Sequence, residues 1–263
     1  MPRTPTALAT TATATAIKGT ATLTAGVTST PDATASEPTA QATSTAQATP
    51  TVASCTVTFS DVDETHAFYV WIRCLACRGI ITGYADGTFR PFNQITRGQI
   101  AKVVSNAAGL NDDPGPQVYE DVPSEGTFYV WVNRLSNRGY MGGYSCGQEP
   151  SEPCIGPDNK PYFRPAANAT RGQLAKIVSN TAGLSGAPTG QFYTDVPPDH
   201  PFYVWIMHLT DLGAMSGYAC GGQGEPCDDQ NRPYFRPYVS VTRGQASKIV
   251  ANTFFPGCLI PVR

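Results

Sequence analysis

The chain has 263 residues, a formal net charge of −2 and only 14% charged residues. This balance excludes the strongly basic surface from which nucleic-acid-binding proteins obtain much of their affinity, so we predict no nucleic-acid partner. No apolar run reaches the roughly 18 residues that a transmembrane helix needs, so no membrane span is expected.

Residues 1–54 are rich in Thr, Ala and Pro, and they contain four charged residues and no aromatic residue. Such a segment cannot bury enough apolar surface to offset the entropy lost on ordering, so we predict a disordered linker. Its beginning lacks the apolar core of a secretion signal. We therefore expect the sequence to be a fragment or to have a misplaced start.

Five short motifs recur three times in the same order after residue 54. Each copy has an aromatic residue two positions before Asp-Val, followed by Phe-Tyr-Val-Trp, Gly-Tyr, Phe-Arg-Pro and Thr-Arg-Gly-Gln. The Phe-Tyr-Val-Trp copies begin at Phe68, Phe128 and Phe202, and the Thr-Arg-Gly-Gln copies begin at Thr96, Thr170 and Thr242. Such self-similarity indicates structural repeats, which we place at residues 55–116, 117–190 and 191–263.

Each repeat contains a first helical pattern that starts at Phe-Tyr-Val-Trp. In repeat 1, Phe68, Trp71, Ile72 and Leu75 have the i, i+3, i+4, i+7 spacing of one helix face. Gly79 follows where a helix commonly ends with a left-handed residue. The first helix of each repeat is thus predicted to bury its tryptophan in the core.

A second helical pattern starts at Thr-Arg-Gly-Gln. Thr96 and Gln99 have the spacing of a capping box, in which each side chain pairs with an unpaired backbone amide at the helix start. One helix pair cannot enclose its own apolar face, so the three must pack together as an all-α bundle of helix–loop–helix repeats. Polar residues later in these helices are expected to form a solvated face: Lys102, Lys176, Lys248, Asn106, Asn180 and Asn252.

The loop between Gly-Tyr and Phe-Arg-Pro varies in length, and the longer versions carry cysteines. Repeats 2 and 3 have insertions here, with Cys146 and Cys154 in one and Cys220 and Cys227 in the other. We predict a disulfide across each loop and therefore an oxidising compartment. The remaining cysteines are expected to bridge one another with the pairing left open: Cys55, Cys74, Cys77 and Cys258.

The motifs of repeat 1 resemble the S-layer-homology domain. The resemblance rests on Phe59–Val62, Gly79–Pro91 and Ile95–Arg97, and with the other repeats it covers about residues 55–255. It implies a pseudo-threefold bundle of three repeats, an extracellular location at the cell wall, and non-covalent binding of a secondary cell wall polysaccharide that is often acidic or pyruvylated. Thr-Arg-Gly-Gln replaces the family's common Thr-Arg-Ala-Glu, and Phe stands where the family usually has Trp. The identity of the glycan therefore stays open.

The first residue of each second helix is an arginine: Arg97, Arg171 and Arg243. A cation there opposes the helix dipole, whereas free amides together with a guanidinium would attract an anion. We therefore predict that these arginines bind a glycan, and that the following glycines let it approach the backbone: Gly98, Gly172 and Gly244. The alternative is an ion pair with an acidic residue of a neighbouring repeat, at Asp61, Asp121 or Asp195.

Two further repeated positions are candidates for the same glycan site. The Phe-Arg-Pro arginines either line the groove or stack on the Gly-Tyr tyrosines, and these tyrosines are well placed to stack on sugars. The residues are Arg90, Arg164, Arg236, Tyr84, Tyr144 and Tyr218.

Catalysis finds little support in the sequence. The three histidines, His66, His200 and His208, form no recognisable Ser/His/Asp set. The calcium-loop pattern is also absent, and Asp86-Gly87 has the character of a tight turn. We predict a non-enzymatic protein without metal or cofactor. Two alternatives stay open, namely a structural module that contacts identical copies or other surface proteins, and the wall-targeting part of an exported enzyme.

Overall fold

The computed structural model describes residues 55–259, so the linker predicted at residues 1–54 lies outside the described residues. Within that range the secondary structure is helical, with isolated β-bridges and no strand, which confirms the all-α prediction. The α-helices are α1 Tyr69–Cys77, α2 Arg97–Ala107, α3 Tyr129–Asn137, α4 Arg171–Thr181, α5 Tyr203–Asp211 and α6 Arg243–Phe254, and a 3₁₀ turn spans Pro256–Leu259.

The helix boundaries follow the predicted signals. α1 begins after Phe68 and ends before Gly79, whose φ of 69° is the left-handed conformation expected of a terminal glycine. Capping boxes form at the start of α2, α4 and α6, with both the side-chain and the backbone hydrogen bond present in each. Local sequence therefore determines where these helices begin and end.

Helices pack between repeats in a circular order. We call α1–α2, α3–α4 and α5–α6 units 1, 2 and 3. α3 packs on α2, α5 on α4, and α1 on α6, while α2, α4 and α6 contact one another at the centre. The first helix of each unit therefore covers the second helix of another unit, and the three pairs close into a pseudo-threefold bundle. The exact repeat boundaries stay a prediction.

A ring of backbone hydrogen bonds joins the three units just before the second helices. Ile95 N–H donates to Val241 O, Val241 N–H donates to Ala169 O, and Ala169 N–H donates to Ile95 O, each at 3.0 Å. All three residues are fully buried. Because each residue both donates and accepts, the ring holds the helix starts in a fixed relation to one another.

The Asp of each Asp-Val motif fixes the Phe-Arg-Pro turn. The carboxylate of Asp61 accepts hydrogen bonds from the amides of Phe89 and Arg90, both at 2.7 Å. Arg90 has a φ of 59°, an uncommon conformation for a residue with a side chain. The turn buries the Phe89 ring completely against Phe59, and units 2 and 3 repeat the arrangement.

Four disulfides stabilise the bundle and its loops. Cys146–Cys154 and Cys220–Cys227 close the inserted loops as predicted. The pairing that the sequence left open is Cys55–Cys77 and Cys74–Cys258. The second of these connects α1 to the 3₁₀ turn after α6, and so links the first and last helices of the bundle.

Candidate functional site

Two equivalent clefts lie at the seams between units. The first, which we call the Tyr144 cleft, has a volume of about 180 Å³ and is bounded by the loop 140–144, the side chains of Gln173 and Lys176 on α4, Arg97 and Phe202. The Tyr218 cleft, of about 230 Å³, has Tyr218, Gln245, Lys248, Arg171 and Phe68 at the same positions. The corresponding set in unit 1, which we call the Tyr84 position, is Tyr84, Gln99, Lys102, Arg243 and Phe128.

The predicted arginines lie deep in these seams. Arg97 is 4% exposed, and it donates from Nε to Phe163 O at 2.8 Å and from Nη2 to Gly142 O at 2.7 Å. Arg171 and Arg243 make the same pair of bonds to carbonyl groups of the adjoining unit. Each arginine is therefore a structural link between two units, and only part of its guanidinium faces the cleft.

The free helix amides that we expected beside these arginines are already hydrogen-bonded. Arg97 N–H donates to Ala167 O and Gly98 N–H to Pro165 O, both at 2.9 Å, and Gln99 N–H donates to Thr96 Oγ1. The same pattern occurs at α4 and α6. The expectation of an anion site made of free helix amides is therefore wrong, because a loop of the neighbouring unit supplies the acceptors.

The alternative ion pairs with Asp61, Asp121 and Asp195 do not form either. Those carboxylates accept backbone amides of their own unit, and carbonyl groups take their place as the partners of the buried arginines. Burial lowers the pKa of Arg97, Arg171 and Arg243 below the ordinary arginine value. Tyr144 and Tyr218 lie near Arg97 and Arg171, and they offset part of this effect.

The glycines after these arginines serve protein packing. A Cβ placed on Gly98 would lie 2.5 Å from the Phe128 ring, and one on Gly172 would lie 2.5 Å from Phe202. Gly244 faces Phe68 in the same way. We expected a ligand to approach the backbone here, but a phenylalanine of an adjoining unit occupies that space.

We expect Gly172→Ala to lower the free energy of unfolding by about 1–3 kcal/mol, because the new methyl group forces the Phe202 ring out of its packed position. Urea denaturation followed by circular dichroism would measure the change. Gly142→Ala is the control, since nothing lies within 4 Å of the added Cβ. Equal stability of the two variants would contradict this role of Gly172.

The Phe-Arg-Pro arginines stack on the Gly-Tyr tyrosines. The Cζ of Arg164 lies 4.0 Å from the ring centroid of Tyr144, and that of Arg97 lies 5.2 Å from it. Arg164 also forms an ion pair with Glu152 at 2.6 Å, and this lowers the pKa of that carboxyl. Units 1 and 3 repeat the stacking, with Asp86 and Glu225 as the acidic partners. These arginines hold the tyrosine at the cleft.

The lysines and asparagines that we expected on a solvated face connect the units. Lys176 Nζ lies 4.6 Å from the Trp205 ring centroid, and Trp205 Nε1 donates to Asn180 at 2.7 Å. The other lysine–tryptophan and tryptophan–asparagine pairs form the same contacts. The spacing of Gln173 and Lys176 could have indicated that both line the cleft. They are three residues apart and so lie on one helix face, and the same pair recurs in all units.

The charged side chains that line the two clefts are all positive. The residues that line the Tyr144 cleft include Arg97 and Lys176 and no carboxylate, and those of the Tyr218 cleft include Arg171 and Lys248 and no carboxylate. This local excess of cations contrasts with the net charge of −2 of the whole chain. Electrostatics at the seams therefore favours an anionic ligand.

None of the helices between residues 55 and 259 combines the length and apolar character needed to cross a bilayer. In the same range, no three His, Cys, Asp or Glu side chains gather in a group suited to a metal ion.

Part of this bundle is similar to a known domain family and to two surface proteins. Residues 58–101 match the model of the S-layer homology domain. The chain is 22% identical over 182 residues to the surface-layer 125 kDa protein of Lysinibacillus sphaericus, a match that covers 69% of this chain and 14% of that relative. It is 25% identical over 158 residues to cell surface glycoprotein 1 of Acetivibrio thermocellus, covering 55% of this chain and 6% of that relative.

The chain thus spans only a small part of the length of these relatives. Residues 58–101 are therefore similar to the S-layer homology domain, and a larger part of the chain is similar to a surface-layer protein and a cell surface glycoprotein.

Proposed function

We propose that residues 55–259 attach this chain to the cell surface by binding an anionic secondary cell wall polysaccharide in the seams between units. The observation that carries the proposal is the repeated cleft that combines lysine, arginine, glutamine and tyrosine and is lined by no carboxylate. The attachment is non-covalent, so it involves no bond making and no cofactor.

The cleft offers complementary groups for an acidic sugar. Lys176 is half-buried, and its ammonium group lies over the Trp205 ring at the edge of the cleft, where it can also pair with a carboxylate or phosphate. Such charge-assisted hydrogen bonds are stronger than neutral ones. Arg97 forms its side-chain hydrogen bonds from Nε and Nη2, and Nη1 has no partner within residues 55–259, so this amino group is left to donate to the same anion. The rings of Tyr144 and Phe202 provide apolar surface for the face of a sugar.

The size of the clefts suits a single unit of a polymer. Volumes of about 180 and 230 Å³ are below the ~300–1,000 Å³ typical of pockets that enclose drug-sized ligands. Weak sites gain strength by repetition, because a polymer bound at one cleft meets the next one intramolecularly. Such linkage raises avidity by ~10²–10⁴ when the geometry permits.

Replacing the cleft lysines tests the proposal and keeps the buried arginines, and the thermal midpoint of the variant shows whether loss of the lysine–tryptophan contacts also weakens the bundle. We expect the triple variant Lys102→Gln, Lys176→Gln, Lys248→Gln to bind purified wall sacculi at least tenfold more weakly, because the two clefts and the Tyr84 position each lose one cation. Co-sedimentation of the full chain with sacculi, before and after acid extraction of the secondary polymers, would measure this. Binding should also disappear after extraction.

Lys160→Gln is the matched control, because Lys160 lies outside both clefts and pairs with Asp158 at 3.7 Å. It should bind like the unmodified chain. Undiminished binding by the triple variant would contradict the cleft assignment. Absence of binding to intact sacculi would overturn the polysaccharide proposal and favour assembly with other surface proteins.

A further inference from the structure

We infer that an aromatic platform beside two of the three seams binds the sugar that adjoins the one in the cleft, so that the three sites are unequal. This inference rests on the proposed function. The platforms are Phe92 with Phe68 and His66 in unit 1, and Tyr238 with Phe202 and His200 in unit 3.

The unit 1 platform adjoins the Tyr218 cleft. Phe68 lines that cleft, and its ring centroid lies 6.4 Å from that of Phe92 in an edge-on arrangement. Phe92 is 71% exposed, the largest exposed fraction among the large apolar side chains of the described residues. The rings of Phe68 and Phe92 thus form apolar surface that extends from the cleft to the exposed face of the protein.

The unit 3 platform repeats this geometry beside the Tyr144 cleft. Phe202 lines the cleft, and its ring centroid lies 6.3 Å from that of Tyr238, which is 66% exposed. A single exposed aromatic residue is ordinary on a protein surface. Here an exposed ring lies in the same position beside each of two clefts, so its exposure is a repeated feature of the fold.

A histidine fixes each platform. His66 Nδ1 accepts the amide of Phe68 at 3.1 Å, and its ring packs 5.4 Å from that of Phe92. His200 holds Phe202 and Tyr238 in the same way. The Nε2 atoms of both histidines are shielded and have no partner within residues 55–259. The imidazoles therefore face apolar surroundings, and the platform has its shape before any ligand binds.

Unit 2 lacks the platform. Phe128 keeps its place against Gly98 beside the Tyr84 position, but Gly126 and Ala166 stand where the other units have histidine and an exposed ring. The basic residues are nevertheless repeated in all three units. The charge-binding part is thus threefold, whereas the aromatic part is present only twice.

The chemistry of the platform differs from that of the cleft. An exposed aromatic ring matches the C–H face of a pyranose and adds apolar contact without requiring charge. We therefore assign the cleft to the anionic group and the platform to the adjoining, uncharged sugar of the chain. The Tyr144 and Tyr218 clefts then bind a disaccharide, and the Tyr84 position binds one sugar.

The test compares variants of the full chain for binding to the polysaccharide released from sacculi by acid. Phe92→Ala and Tyr238→Ala should each weaken binding about threefold to tenfold at the affected site, in line with the energy of one aromatic contact. Both side chains are mostly exposed, so the thermal midpoint should stay unchanged. Phe192→Ala, a 49% exposed aromatic outside the platforms, is the control and should bind normally.

A gain-of-function variant gives a second, independent readout. Gly126→His with Ala166→Phe should create a platform beside the Tyr84 position and raise affinity by a similar factor. Normal binding by Phe92→Ala with Tyr238→Ala, in a protein that still binds through its lysines, would overturn the platform while leaving the proposed function standing. Failure of the unmodified chain to bind would overturn both.

Discussion

Arg171→Ala should lower the free energy of unfolding by about 2–5 kcal/mol, although the side chain is charged and has no acidic partner. The arginine is 5% exposed and donates to the carbonyl groups of Phe235 and Ser216, both at 2.8 Å. Its removal leaves the carbonyl groups of Phe235 and Ser216 without this donor, and a buried group left unpaired, as at Phe235, costs about 1–3 kcal/mol. The loss of a nearly buried side chain between two units adds to this cost. Urea denaturation of the full chain at neutral pH would measure the loss.

Arg138→Ala is the matched control, since that arginine is exposed and pairs with Asp112 at 2.9 Å in an exposed ion pair. Such pairs contribute about 0–1 kcal/mol. If the two variants lost the same stability, Arg171 would not be the link between units described above. The result also decides how binding experiments are designed, because a variant that lacks all three buried arginines would lose the bundle together with any site.

Removal of the Cys74–Cys258 disulfide should destabilise the bundle by about 5 kcal/mol, the value that loop closure entropy gives for its sequence separation of 184. The position explains why the effect is large. Backbone connects α2 to α3 and α4 to α5 directly, whereas α1 and α6, which also pack together, are the first and last α-helices in the order of the chain. The disulfide is the covalent link that closes this third seam.

The double variant Cys74→Ala, Cys258→Ala should therefore show a much lower thermal midpoint than Cys220→Ala, Cys227→Ala. The second pair closes a loop with a sequence separation of only 7, for which the same relation gives about 2–3 kcal/mol. Calorimetry under non-reducing conditions would compare the two. A larger loss from the loop disulfide than from the seam disulfide would contradict the closing role of Cys74–Cys258.

Local sequence was sufficient for the helices and for the loop disulfides. Thr96 and Gln99 form their capping box within four residues, and Gly79 adopts its left-handed conformation because its neighbours in the chain end the helix there. Cys146 and Cys154 were predictable because they occur with the insertion that they close. These features depend on residues close together in the chain, so their spacing alone indicated them.

The candidate site was predictable only in part. Arg97, Arg171, Tyr144 and Tyr218 do line the clefts, but nothing in the sequence indicated that carbonyl groups of another unit hold Arg97, or that Phe128 covers Gly98. Lys176 is predicted from sequence to lie on a solvated face, whereas Trp205 of the next helix packs against it. Each difference arises from a residue of a different unit.

The sequence by itself determined a threefold helical repeat, its caps and its closed loops, because these depend on contacts within a few residues or within one repeat. Tertiary structure alone decided which groups meet at the seams, because each seam joins residues far apart in the chain, as with the 154 positions between Phe89 and Arg243. Buried donors must find acceptors, and packing decides which are within reach. For this reason the buried arginines link the units through carbonyl groups, whereas the lysines and tyrosines line the clefts and the exposed aromatic rings lie beside them.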